Sequence, residues 1–438
     1  MNLKDNLDLI IALVIYFVIG FVLWGYFQYS FGPGADGICY ISIAEKYAIG
    51  NFKDAVNGYW GPLFSWLLVP FLLKGFTQLS ALKSAWALSL VIGSFNILGM
   101  YFLSYRFKVG NTIRTLFVLS LIPVTLYFVY YMLNADLLMS SFLIFYLNLL
   151  FDHKYQNKLN LGFLCGLTGG LAYLSKSFAF PFFLAHFLFF NAIYYFKRDY
   201  KNKTILKNLL IGLTVFFLIS GVWSLAINEK YGHLTIGTSG TYNYNALGQD
   251  VQLNHPMNMF GVVAHPNPTA ITPWEDPSYV KLKSWNPFDS TESFQYQLNI
   301  ILKNIIKPIN IIASFSLLVL FILILSIIIY FKSPDERVKW RIFCLMVTIL
   351  IFILGYIPFF VDTRYFYFLF YLVLLLGVYL ISAIKEKYDL KNRMFNVLMV
   401  AFFILLIISP TLALIHSTDD KAIYDLSENL KNDFNVHG

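Results

Sequence analysis

Residues 9–28 read Leu9-Ile-Ile-Ala-Leu-Val-Ile-Tyr-Phe-Val-Ile-Gly-Phe-Val-Leu-Trp-Gly-Tyr-Phe-Gln28, and the chain continues into Phe31-Gly-Pro-Gly-Ala-Asp-Gly-Ile-Cys-Tyr40. An almost wholly apolar run of this length matches one helix across a hydrocarbon layer. No small-residue cleavage site follows it, so it is expected to stay as a helix rather than be removed as a signal peptide. The Gly-Pro-Gly bend then brings a single carboxylate, Asp36, back against the membrane surface.

The same signal recurs along the chain. Further runs lie at 82–105, 113–133, 137–151, 160–175, 177–196, 208–227, 306–331, 341–360, 366–384 and 394–415, the fourth and fifth spans being short. An all-α polytopic membrane protein of about eleven transmembrane helices is predicted, as a single membrane-embedded domain over 1–438. Of the 438 residues, 58% are hydrophobic and 13% charged, and mean hydropathy is +0.64. A soluble domain carries roughly 25% charged residues, so a soluble enzyme, a disordered chain and a nucleic-acid-binding module are all poor readings. The three cysteines, Cys39, Cys165 and Cys344, are too scattered for a disulfide framework or a metal cluster.

Charge sets the expected orientation. With the N-terminus inside, the inner connections hold 19 of the 32 basic residues but 8 of the 24 acidic ones, a net +11 against −3 outside. This is the positive-inside pattern of a multi-pass protein of the cytoplasmic membrane, and it accounts for the net charge of +8 without nucleic acid. Two outer connections are long, 30–81 and 228–305. The first reads as two interfacial helices. Asp36 can cap one and Gly50 end it, and Gly61-Pro62 begins the other, with Trp60 and Trp66 suited to the headgroup level. The second is rich in Gly, Pro, Asn and Tyr and reads as a folded cap.

The candidate site residues all fall on the outer side. Asp36 is either a helix cap or a carboxylate placed as general base or metal partner. Asp136, in Leu133-Asn-Ala-Asp136, is either the N-cap of the fourth span or a functional carboxylate at the mouth of an apolar bundle. Lys176 either snorkels or holds a phosphate. Arg364, in Phe360-Val-Asp-Thr-Arg364-Tyr365, either pairs locally with Asp362 or forks onto a phosphate. His233, His255 and His265 share the cap with Glu275 and Asp276 and show no metal-ligand spacing. No Walker motif, GxGxxG or nucleophile elbow is present. Two acids and two bases at one face are what group transfer from a membrane-embedded phospholipid would need.

Four segments together resemble a known family. Asp36-Gly-Ile-Cys-Tyr40-Ile-Ser-Ile-Ala44 with Gly61-Pro62-Leu63, Asn134-Ala-Asp136-Leu-Leu, Gly166-Leu-Thr-Gly-Gly-Leu-Ala-Tyr-Leu-Ser-Lys176 and Arg364-Tyr365 stand in the order and on the side seen in GT-C superfamily glycosyltransferases of the family 39 type. These are similar to protein O-mannosyltransferases and lipid A aminoarabinose transferases. The resemblance implies a GT-C-like fold and a hexosyl- or pentosyltransferase using a polyprenyl-phosphate sugar donor outside the membrane, with inversion. It implies Asp36 as base or metal partner and Lys176 and Arg364 as neutralisers of the leaving phosphate, near Tyr365 and Tyr40. Asp136 is the second acidic candidate, as an orienting partner. Gly37 follows Asp36 where many mannosyltransferases carry a second acid, which leaves the acceptor open among lipid, glycan and protein. The cofactor is open too, a divalent ion on Asp36 being the one candidate. Two rivals are weighed. An O-antigen ligase or polymerase with a lipid-diphosphate donor would lean on loop arginines, and the second outer loop has none. A lipid or sugar transporter would carry ionisable residues in mid-membrane, and His186 is the main one, read as a buried, satisfied histidine.

Overall fold

The computed structural model describes residues 6–27, 34–197, 203–248, 265–316, 318–388 and 392–419; among them all regular structure is helical, with no strand. The reason is the solvent the sequence is written for. Apolar surroundings offer no partner for a backbone N–H or C=O, so each segment must bond internally. Nine of the described helices are long and apolar enough to cross a membrane: α1 (Leu7–Phe27), α5 (Gln78–Arg106), α6 (Asn111–Tyr131), α9 (Ala179–Lys197), α10 (Lys203–Tyr231), α12 (Thr291–Phe315), α14 (Glu336–Tyr356), α15 (Tyr367–Tyr388) and α16 (Asn392–Asp419). Shorter apolar helices α7 (Asp136–Leu150), α8 (Asn160–Ser175) and α13 (Leu318–Lys332) complete the bundle. α15 lies at its centre, with almost every side chain from Phe366 to Leu380 buried.

One expected span is wrong in kind. The run 306–331 is not a single helix but the end of α12 and the whole of α13, broken at Ser316. Ser316 is extended, at φ −168° and ψ 131°. Its hydroxyl donates to the Leu405 carbonyl at 3.1 Å and accepts from the Leu318 amide at 3.3 Å. One side chain thus satisfies backbone groups that the break would otherwise strand, so unbroken hydropathy gives no warning of it.

The first long connection folds as α2 (Gly34–Ala48), the single turn α3 (Phe52–Ala55) and α4 (Pro62–Leu72). Gly50 follows the end of α2 at φ +80°, where a glycine is the cheapest residue. Asp36 is not a cap but lies inside the first turn of α2. Asp136 likewise begins α7 rather than capping it: Ala135 is the N-cap, and the Asn134 carboxamide oxygen accepts the Asp136 amide at 2.8 Å. In the second connection α10 runs on to Tyr231, and the short helix α11 (Ser239–Ala246) and two 3-10 turns at 273–275 and 277–279 precede α12.

Glycine decides two placements. A Cβ on Gly166 would stand 2.2 Å from the Gly212 carbonyl oxygen and one on Gly162 2.5 Å from that of Asn208, so α8 and α10 pack in parallel, backbone on backbone. A Cβ on Gly61 would stand 2.3 Å from the Ser175 carbonyl oxygen. The start of α4 therefore presses on the end of α8, which fixes where Lys176 emerges.

Candidate functional site

At the end of the bundle that carries both long connections there is a cavity of about 290 Å³. Its polar wall is made by Asp36 from α2, Asn134 and Asp136 from the start of α7, Lys176 from the end of α8, and Arg364 and Tyr365 from the 3-10 turn Thr363–Phe366 that opens α15. Tyr40, Tyr59 and Trp60 line it beside α2 and α4, and Ser239, Gly240 and Asn243 of α11 roof it. Phe178, Tyr356, Phe359 and Phe360 make an apolar side.

The four charged residues form one linked set. Arg364 donates through Nη1 to Asp36, and Lys176 donates through Nζ to Asp136. Arg364 Nε lies 3.2 Å from Asp362 Oδ2 and 3.9 Å from Asp136 Oδ2. Neither contact has hydrogen-bond alignment, so this buried N–H is left without a hydrogen-bond partner. Lys176 Nζ stands 3.7 Å from the centroid of the Tyr365 ring, which also stacks on Tyr356 at 4.9 Å between centroids. Asp36 and Asp136 are 8% and 3% exposed. A charge so far from water is retained only when paired, and these carboxylates are.

Electrostatics divides the two cations. Burial pushes the Lys176 ammonium below the ordinary lysine range; Asp136 pulls the other way, and the like charge of Arg364 adds to the lowering. A guanidinium keeps its charge at any ordinary pH, and Arg364 has Asp36, Asp136 and Asp362 around it. Arg364 is therefore a fixed charge and Lys176 a tunable one. Snorkelling does not describe Lys176, and a local pair with Asp362 is the lesser part of what Arg364 does.

The cap residues sit elsewhere. His233 and His265 are exposed and bond backbone carbonyls, of Tyr231 at 3.1 Å and Ala270 at 2.7 Å. Neither lines the cavity. His255 lies outside the described residues. Glu275, 1% exposed, faces α2 instead of the cavity. It accepts from Lys46 and, at 2.7 Å, from the Ser42 hydroxyl; the Ile271 amide donates to it at 3.2 Å. Its backbone carbonyl accepts from Asn57 Nδ2 at 2.7 Å. Next to it Asp276 accepts from the Tyr231 hydroxyl at 2.6 Å and lies 3.4 Å from Lys230 Nζ. Sequence reading did not single out Lys46, Ser42, Asn57 or Lys230. Within the bundle His186 is buried with both ring nitrogens bonded, to Tyr146 and Thr348, each at 2.8 Å.

The described residues of the cavity do not fit a resident metal ion. Among the described residues no three His, Cys, Asp or Glu side chains gather as ligands, and each carboxylate of the cavity already faces a cation.

No family model matches the chain, and no curated protein does. Solved structures do. The apo oligosaccharyltransferase of Archaeoglobus fulgidus superposes at a TM-score of 0.56 and 13% identity, over 95% of this chain and 56% of its own. The same enzyme, AglB, in complex with an inhibitory peptide and a dolichol-phosphate gives 0.55 at 13% identity, again over 95% and 56%. ArnT from Cupriavidus metallidurans bound to undecaprenyl phosphate gives 0.50 at 13% identity, over 95% of this chain and 75% of its own. The chain spans little more than half the length of the archaeal structures. At this identity the likeness is one of fold, the helical arrangement that these oligosaccharyltransferase and ArnT structures share.

Proposed function

We propose that this chain is an integral membrane glycosyltransferase, taking a hexosyl or pentosyl group from a polyprenyl-phosphate donor to a lipid, glycan or protein acceptor at the outer face of the cytoplasmic membrane. The observation that carries this reading is the linked set Asp36–Arg364 and Asp136–Lys176 in the wall of one half-apolar cavity. The structures with this fold include one holding dolichol-phosphate and one holding undecaprenyl phosphate.

The chemistry follows from the charges. The donor phosphate enters beside Lys176 and the unbonded Arg364 Nε, and the prenyl tail runs along Phe178, Phe359 and Phe360. The sugar lies toward Tyr59, Trp60 and Asn243. Asp36 takes the proton of the acceptor hydroxyl or amine. The acceptor forms its bond to the anomeric carbon as the bond to the phosphate oxygen breaks on the opposite face, which inverts the centre. The leaving phosphate gains a negative charge where two cations already stand. Such preorganised donors contribute roughly 3–4 kcal/mol each. The α11 cap keeps water, the competing acceptor, out.

The test is to incubate the purified protein with labelled polyprenyl-phosphate sugars and crude membrane acceptor, comparing wild type with Asp36→Asn. Wild type should consume one donor, and the variant should do so at least about a hundredfold more slowly while still folded. Equal turnover would move the base away from Asp36. Consumption of a lipid-diphosphate glycan alone would replace the donor class.

A further inference from the structure

The end of the bundle opposite that cavity holds a second, larger crevice of about 790 Å³. It opens between α13, the turn that follows it, α14 and α15, with Lys108 from the α5–α6 connection at its edge. One wall is apolar, formed by Leu325, Ile328 and Ile329; Ile328 is 44% exposed. The mouth is cationic.

Among the described residues its lining carries the cations Lys108, Lys332, Arg337 and Arg341 against the acids Asp335 and Glu386. Arg337 is occupied by Asp335, through Nε at 3.2 Å and Nη2 at 3.1 Å. Lys108, Lys332 and Arg341 make no ion pair with any described residue, and Glu386 is the other acid of the lining. These cations come from three separate elements, the α5–α6 connection, the end of α13 and α14. Arg341 is steadied over the Tyr379 ring, its guanidinium carbon 5.7 Å from the centroid. Ser382 accepts the Gly110 amide at 3.3 Å and so ties α15 to the turn that carries Lys108.

Lys108 supplies a second, independent observation. Among the described residues it is the one non-glycine with a positive φ, +59°. Its amide donates to the Tyr105 carbonyl at 3.0 Å and that of Val109 to Ser104 at 3.0 Å, closing the end of α5. Glycine holds this turn at lower cost. The strain therefore buys a cation at the crevice mouth.

The geometry points to a binding site for the phosphate-bearing head of an anionic bilayer phospholipid, with an acyl chain against Leu325, Ile328 and Ile329. Basic pockets between membrane helices suit such heads. This site is independent of the donor cavity and stands whether or not the chain is a transferase.

The test uses the full chain in neutral detergent. Thermal unfolding is followed against added phosphatidylglycerol, phosphatidylcholine or inorganic phosphate. Phosphatidylglycerol should raise the melting temperature saturably and the other two should not. The Lys108→Gln/Lys332→Gln/Arg341→Gln variant should need roughly a hundredfold more of it, about fivefold per cation. Lys108→Gly should melt higher without lipid yet need about fivefold more lipid. That pair of opposite changes reads the site even if the triple variant does not fold. An unchanged response in the variants, or an equal response to phosphatidylcholine, overturns the proposal. An equal response to inorganic phosphate overturns it in favour of a free-anion site.

Discussion

Helix α2 carries two buried charge clusters, and they are built to opposite rules. At its start Asp36 meets Arg364, whose Nε–H is buried without a hydrogen-bond partner. Ten residues on, Lys46 meets Glu275, and there both carboxylate oxygens and the Glu275 carbonyl are occupied by Lys46, Ser42, Ile271 and Asn57. The second cluster has little left to offer a ligand, and it pins the cap to α2. The first is unfinished, and it opens on the cavity. A buried polar group left short of partners is costly, and this one stands in the cavity wall.

The sharpest way to break this contrast is to remove one partner from the finished cluster. Glu275→Ala strands the Lys46 ammonium and should destabilise the fold by about 3–5 kcal/mol, read as a lower unfolding temperature. Replacing both partners by methionine should recover most of that loss. If Glu275→Ala melts like wild type, Glu275 is not a latch. Asp36→Asn should do the reverse: at least about a hundredfold loss of rate, worth about 2.7 kcal/mol in the barrier, with a change in unfolding no larger than about 1 kcal/mol. A variant that loses both equally would erase the distinction between the clusters.

Gly61→Ala sharpens the comparison at one remove. Its Cβ meets the Ser175 carbonyl, a backbone atom that cannot swing aside, so about 1–3 kcal/mol of stability should go. Donor affinity should fall too, because Lys176 follows Ser175. Unchanged donor binding would free Lys176 from that contact. The smallest effect is in pH. Lys176 is held below the ordinary lysine range, so it loses its charge at a lower pH than a free lysine. The rate should fall on the alkaline side below pH ~10.5, and Lys176→Arg should carry that fall to higher pH. A profile that Lys176→Arg leaves in place assigns it to another group.

The two clusters were not equally legible in the sequence. Asp36, Asp136, Lys176 and Arg364 each stand at the end of an apolar run, where a charge is conspicuous, and topology alone puts such ends together. Tyr40 and Tyr365 follow from the motifs that contain them. The Lys46–Glu275 latch joins residues 229 apart, and Lys46 reads as an ordinary cation in the last turn of a helix. The histidines of the cap drew attention by residue type, yet His233 and His265 ended at the surface. The break at Ser316 was hidden for a different reason, since its effect on hydropathy is that of a single serine. Asn134 could have been found: an Asn two residues ahead of an apolar run is a local backbone acceptor.

The glycine seam between α8 and α10 has a mechanical consequence. With no side chain between the two backbones at Gly162, Gly166 and Gly212, a slide of either helix would bring a larger side chain against the neighbour's carbonyls, where even a Cβ does not fit. The pair is one beam. Lys176 leaves its tip on one strut, and Lys230 and Tyr231, which hold Asp276 of the cap, leave it on the other. Tilting α10 to lift the cap would carry Lys176 along. The anchor of the cap and the cation in the cavity wall therefore share one mount.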